Sequence, residues 1–153
     1  MSARSRRNSA FTLVEILIVV VILGILAAIV IPQFTSASES ARGNSLISQL
    51  QTIRSQLELY QVQHNGAYPT LLQMWDNMTS KTFADGTVDA AGDFGPYLQQ
   101  EPINPFTNGT AIAADNSADW QYDDATGAIL PVVDAAQAAA AGLTAGVDYV
   151  AAP

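Results

Sequence analysis

The chain is predicted to be an α+β protein in which a long N-terminal helix packs on a small antiparallel β-sheet, and three observations predict this. The first is an apolar stretch from Phe11 to Ile31, interrupted only by Thr12, Glu15 and Gly24. The second is a stripe of Ile47, Leu50, Ile53, Leu57 and Tyr60, spaced as one face of a helix. The third is the stretch Asp119 to Leu130, where aromatic and β-branched residues flank a turn containing Gly127.

With 153 residues the chain is long enough for one modest core and too short for two. It divides into a basic leader (1–10), an apolar helix (11–32), an amphipathic continuation of that helix (33–64) and a head of loops and short strands (65–153). Only 13% of residues are charged, against about 25% in an ordinary soluble domain. Part of the chain is therefore expected to lie outside water. Arg4, Arg6 and Arg7 are half of all Lys and Arg; beyond the leader, Arg42, Arg54 and Lys81 face fourteen acidic residues. Such an acidic body repels phosphate backbones, so nucleic acid is not an expected partner. The absence of cysteine excludes disulfides, thiolate metal sites and a cysteine nucleophile.

As a helix, residues 11–31 would extend about 31 Å, the thickness of a bilayer's hydrocarbon core. Three arginines precede the segment and no basic residue follows before Arg42, which places the N-terminus in the cytoplasm and the head across the membrane. Three readings of this segment stand side by side. A secretory signal would be cut after the small residues of Thr35–Ser38, but signal apolar stretches run to about 7–15 residues. An uncut signal anchor accounts for the length and the arginines and leaves Glu15 unexplained. In the third reading the chain is cut between Ala10 and Phe11. The new α-amine then starts the helix, with Glu15 four residues on, on the same face and near the positive end of the helix dipole. In a stack of parallel helices Glu15 of one copy would meet the amine of another, fixing axial register where unpaired charge is costly.

Gly24 and Pro32 weaken the helix between them: an interior glycine costs about 1 kcal/mol relative to alanine and a proline about 3. One helix is expected from about Thr12 to His64, bent near Pro32 and stopped by Asn65-Gly66. His64, the single histidine, is expected to be a helix-end residue. Thr70 is expected to cap a short helix from Leu71 to about Met78 with Leu72 and Trp75 on one face. Two short strands follow in 119–130, with Trp120, Tyr122 and Ile129 covering the spine helix. The tail holds an alanine-rich stretch, Ala135 to Ala141, and a last strand in Val147 to Ala151. No serine triad, glycine-rich phosphate loop or paired-histidine motif is present, so no catalytic residue is assigned.

The segment FTLVEILIVVVILGILAAIVIP resembles the N-terminus of type IV pilins and type II secretion pseudopilins. The resemblance implies a pilin-like fold, removal of the leader by a prepilin peptidase, and N-methylation of Phe11. It also makes Glu15 the assembly residue, and Gly24 and Pro32 the family's helix-weakening positions. The family has glycine before the cut, where this chain has Ala10. Asn65-Gly66-Ala67-Tyr68-Pro69-Thr70, Pro96-Tyr97-Leu98 and the loop Asn104-Pro105-Phe106-Thr107-Asn108-Gly109 are similar to the major pseudopilin of type II secretion, with Asn104 and Phe106 in place of an aspartate and a tryptophan. Members of that class bind calcium in a C-terminal loop, which makes Asp115, Asp119, Asp123 and Asp124 candidate oxygen ligands, although their spacing is not that of an EF-hand. The implied function is that of a subunit of a periplasmic pseudopilus driving protein export. The implied partners are further copies through the N-terminal helices, prepilin peptidase, an inner-membrane assembly platform, minor pseudopilins, and lipid before assembly. The alternatives are a subunit of a surface filament for adhesion, motility or DNA uptake, and a signal-anchored binding protein that never polymerises.

Overall fold

A computed structural model describes residues 11–153. Helix α1 spans Leu13–Gln63 without interruption through Gly24 and Pro32. The described chain separates into two compact units, residues 11–37 and 38–153, and α1 contributes to both.

In the first unit, residues 11–37 are exposed around the whole helix, including Leu17, Ile22, Leu26 and Ile29, each more than half exposed. A helix apolar on all sides has no inside of its own and requires an apolar solvent or like neighbours. Pro32 removes one amide from the ladder. Just beyond it Thr35 Oγ1 donates to the carbonyl of Ile31 (3.2 Å) and Ser36 Oγ to that of Pro32 (3.1 Å), i−4 hydroxyl bonds that compete with the backbone ladder and favour bending.

In the second unit α1 becomes one-sided. Leu46, Leu50, Ile53, Leu57 and Tyr60 are buried at alternating steps of four and three. Leu46 rather than Ile47 starts the stripe; Ile47 lies at its half-buried margin. After α1, a 3-10 turn at Leu71–Gln73 leads into α2, Met74–Thr79. Thr70 is extended there but makes no side-chain cap bond. The change of helix type at Gln73 turns Met74, Trp75 and Met78 inward and leaves Leu72 93% exposed, so Leu72 and Trp75 do not share the buried face that sequence spacing suggested.

Four strands, β1 (Ile112–Ala113), β2 (Trp120–Asp123), β3 (Ala128–Val133) and β4 (Val150–Ala151), form a sheet in that order. The central pair is the antiparallel hairpin expected, with Trp120 opposite Pro131 and Tyr122 opposite Ile129. The two-residue outer strands pair in parallel, so the sheet is mixed. The β3–β4 connection can be parallel because it carries a helix, α3 (Ala135–Ala141), long enough to return the chain. This helix has both ends built in: Asp134 accepts from the amides of Ala136 and Gln137, and Gly142 at φ 75° closes it. Ala141 packs so closely on Gly43 of α1 that a β-carbon at position 43 would sit 2.9 Å from its own.

Trp120, Tyr122 and Ile129 join the α1 stripe, Met74 and Met78 in one core, and their polar tips are satisfied at its edge. Trp120 Nε1 donates to Pro102 O (3.1 Å) and Tyr122 Oη to Pro69 O (2.9 Å). His64 does end the helix region, but it is buried, stacked on Tyr60 at 3.6 Å. Its Nδ1 faces the Tyr60 carbonyl at 2.8 Å, which can only accept, so that nitrogen carries the proton; Nε2 lies 2.9 Å from Thr82 Oγ1.

Candidate assembly site

The start of α1 is ordered by a reciprocal pair. Thr12 immediately precedes the helix and Glu15 is its third residue. The Glu15 amide donates to Thr12 Oγ1 at 3.2 Å, and Glu15 Oε2 accepts from both the Thr12 amide and its hydroxyl at 2.8 Å each. This is a capping box, which satisfies two of the otherwise orphaned donors at a helix N-terminus. The Thr-x-x-Glu spacing ahead of an apolar run is the signature of such a box in the sequence, where Glu15 was expected to face an amine and the helix dipole and Thr12 was given no part. Both Thr12 bonds fall on Oε2, and Oε1 makes no hydrogen bond among the described residues. Phe11 is 82% exposed beside this carboxylate. Ala10 and the leader arginines lie outside the described residues.

The structure sets Gly24 and Pro32 inside the helix, eight residues apart on an exposed segment. A side chain at Gly24 would meet nothing within 4 Å, so packing within this chain does not require glycine there.

The four candidate aspartates go to separate tasks. Asp115 Oδ1 accepts from the Ser117 amide; Asp119 Oδ2 from the Ala111 amide; Asp123 from the Ala125 amide and the Thr126 hydroxyl; and Asp124 Oδ2 from the Leu71 amide, across to another loop. Hydrogen bonds from Thr126 and Ala125 hold the Asp123 carboxyl below the usual carboxylate range, and those from Ser117 do the same for Asp115. Calcium needs six to eight oxygens converging on one point. Among the described residues no three acidic or histidine side chains do so.

A residue that does organise this region is Asn104, wholly buried. Its Nδ2 donates to the carbonyls of Asp119 and Val132 at 2.9 Å each, and its Oδ1 accepts from the Phe106 amide. It ties the 102–110 loop to β2 and β3. From the sequence Asn104 stood out only as a residue in place of an aspartate.

A membrane-length apolar helix, opened by a capping box and continuing as the spine of an α+β head, defines a pilin-like filament subunit. Residues 5–31 match the family model described as the prokaryotic N-terminal methylation motif. The chain is 34% identical to type II secretion system core protein G of Aeromonas hydrophila, over 69% of this chain and 72% of the relative. It is 36% identical to that of Pseudomonas aeruginosa, over 67% and 71%, and 30% identical to that of Vibrio cholerae, over 69% and 70%. No solved structure matches the chain. The chain belongs to the type II secretion system core protein G family of pseudopilins. As a member it is a structural, non-catalytic pseudopilus subunit of type II secretion, and its single apolar N-terminal helix suits one membrane anchor before a periplasmic domain.

Proposed function

We propose that this subunit is cut between Ala10 and Phe11 by a prepilin peptidase, methylated at Phe11, and assembled through Glu15. The observation that carries the reading is the Glu15 carboxylate, held by Thr12 through one oxygen while the other accepts from none of the described residues. A free amine on Phe11 of a neighbouring copy is the donor it lacks. Such a charge-assisted contact is strong in an apolar medium, and it is made only when two stalks reach one axial register. Thr12 is assigned the task of keeping the carboxylate in one rotamer before the neighbour arrives.

Before assembly the stalk would sit in the inner membrane, leader inside and head in the periplasm, because the leader arginines resist transfer. An inner-membrane platform would then move subunits from lipid into the filament, where stalks replace lipid as neighbours, with minor pseudopilins as further partners. Gly24 and Pro32 would let the stalk adjust locally to those neighbours. Intact-mass measurement of the membrane-extracted protein tests the processing step. A chain beginning at methylated Phe11 is expected; one that keeps residues 1–10 in cells with active peptidase, or that begins at Ser38, would rule it out.

A further inference from the structure

The head carries a cavity of about 340 Å³ where the end of α1, the 65–70 loop and the 84–86 loop meet. Tyr60 and Asn77, each 2% exposed, lie at its floor, with Asn77 Nδ2 donating to Tyr60 Oη at 2.9 Å. That bond leaves Asn77 Oδ1 buried with no donor. Rotating the amide exchanges the roles and still leaves one polar atom unpaired, an expensive condition inside a core. Gly86 closes over the pair without filling it: a β-carbon there would lie 3.1 Å from Tyr60 Oη and 3.7 Å from Asn77 Nδ2, and its φ of +83° disfavours any side chain.

The wall and rim point to one kind of ligand. Asp85 is the charged residue among those lining the cavity; no lysine or arginine is there. One Asp85 oxygen accepts from the Thr87 amide at 2.9 Å, and this bond keeps the carboxyl below its ordinary range, so it is anionic at neutral pH. Gln73 at the rim is exposed. Both ring nitrogens of His64 are already engaged. Tyr68, pressed against Gly127 on the β2–β3 turn, presents an aromatic side chain to the same space. An acceptor-rich, acidic site with an aromatic wall suits a cation carrying several donors, and a guanidinium meets all three conditions at once. The volume is at the small end of ligand pockets and suits one long side chain better than a cofactor.

We propose that this cavity receives an arginine side chain from a partner protein of the pseudopilus head. The site is built from the head alone and does not depend on how the stalk assembles.

The test is a titration of the full-length, isotopically labelled protein in detergent micelles, followed by amide chemical shifts. The probes are N-acetyl-arginine amide, its neutral isostere N-acetyl-citrulline amide, and free arginine. Blocked arginine should give saturable shifts at Tyr60, Tyr68, Gln73 and Asp85. Affinity should fall on the order of fivefold or more for citrulline and for Asp85→Asn, which keeps an acceptor for the Thr87 amide and so keeps the loop. Gln73→Ala, at an exposed position, should weaken binding without disturbing the core. Equal binding of arginine and citrulline, no effect of Asp85→Asn, or no saturable shift at these residues would overturn the proposal. Saturation by free arginine alone would also overturn it, since the site would then take an amino acid and not a partner's side chain.

Discussion

Two stretches of α1 bury their apolar residues by opposite means. Leu46, Leu50, Ile53 and Leu57 lose nearly all their surface to the chain's own sheet and to α2, whereas Leu17, Ile22, Leu26 and Ile29 keep more than half of theirs. Both are continuous helix. What differs is the source of the apolar environment: the head supplies its own, and the stalk, in the function proposed above, takes lipid or sister stalks. The head's stability is therefore a property of one copy, while the stalk's packing is a property of the assembly. Substitutions should separate these two quantities.

The largest change in head stability is expected from Trp120→Ala. It empties a fully buried site at the centre of the core and should lower head stability by about 3–5 kcal/mol in thermal unfolding of the full chain in detergent. The cut at Phe11 should be unaffected.

Asn104→Asp is expected to cost about 3 kcal/mol, more than Asn104→Ala. It turns a donor facing two carbonyls into a buried acceptor facing the same two. The same melting experiment checks it, and equal melting of both variants would remove Asn104 from its place as the tie between loop and sheet.

Thr12→Ala acts on the other region. Loss of the cap should cost about 1 kcal/mol in the first turn, read as roughly fivefold faster hydrogen exchange at the amides of Glu15 and Ile16, with the head's exchange unchanged.

The smallest effect is on pH dependence. Asp85, Asp115 and Asp123 have folded-state carboxyls held below their ordinary values by loop hydrogen bonds. Their contribution is therefore present above the unfolded value, near pH 4, and is lost as pH falls through the lower folded values. Head melting should soften below about pH 4, and alanine at any one of the three should reduce that slope.

How much was legible in the sequence follows from the same division. The stalk could be read letter by letter, because a helix apolar on every side needs no knowledge of contacts. The spine stripe was placed one residue off at its start, Ile47 for Leu46, since both are apolar and lie three and four residues before Leu50, spacings that fit one helix face equally well. Helix α3 went unassigned although both of its end signals, Asp134 and Gly142, stand in the sequence. An alanine run carries no amphipathic pattern to draw attention to them. The partners of the aspartates could not be read from spacing, because they are set in three dimensions: Asp115 accepts from an amide two residues on, Asp119 from Ala111 and Asp124 from Leu71 in another loop. Asn104 and the Tyr60–Asn77 pair depend on contacts between distant loops, for which the sequence holds no periodic signal.

The central claim is that one carboxylate near the start of the stalk joins copies while the head folds by itself. Its most direct test is Glu15→Ala in cells that make the pseudopilus, with filament assembly scored beside the melting temperature of the purified variant's head. We predict no filaments, a head that melts with wild type, and a chain still cut before Phe11. Filaments at the wild-type level from a correctly processed Glu15→Ala subunit would contradict the account.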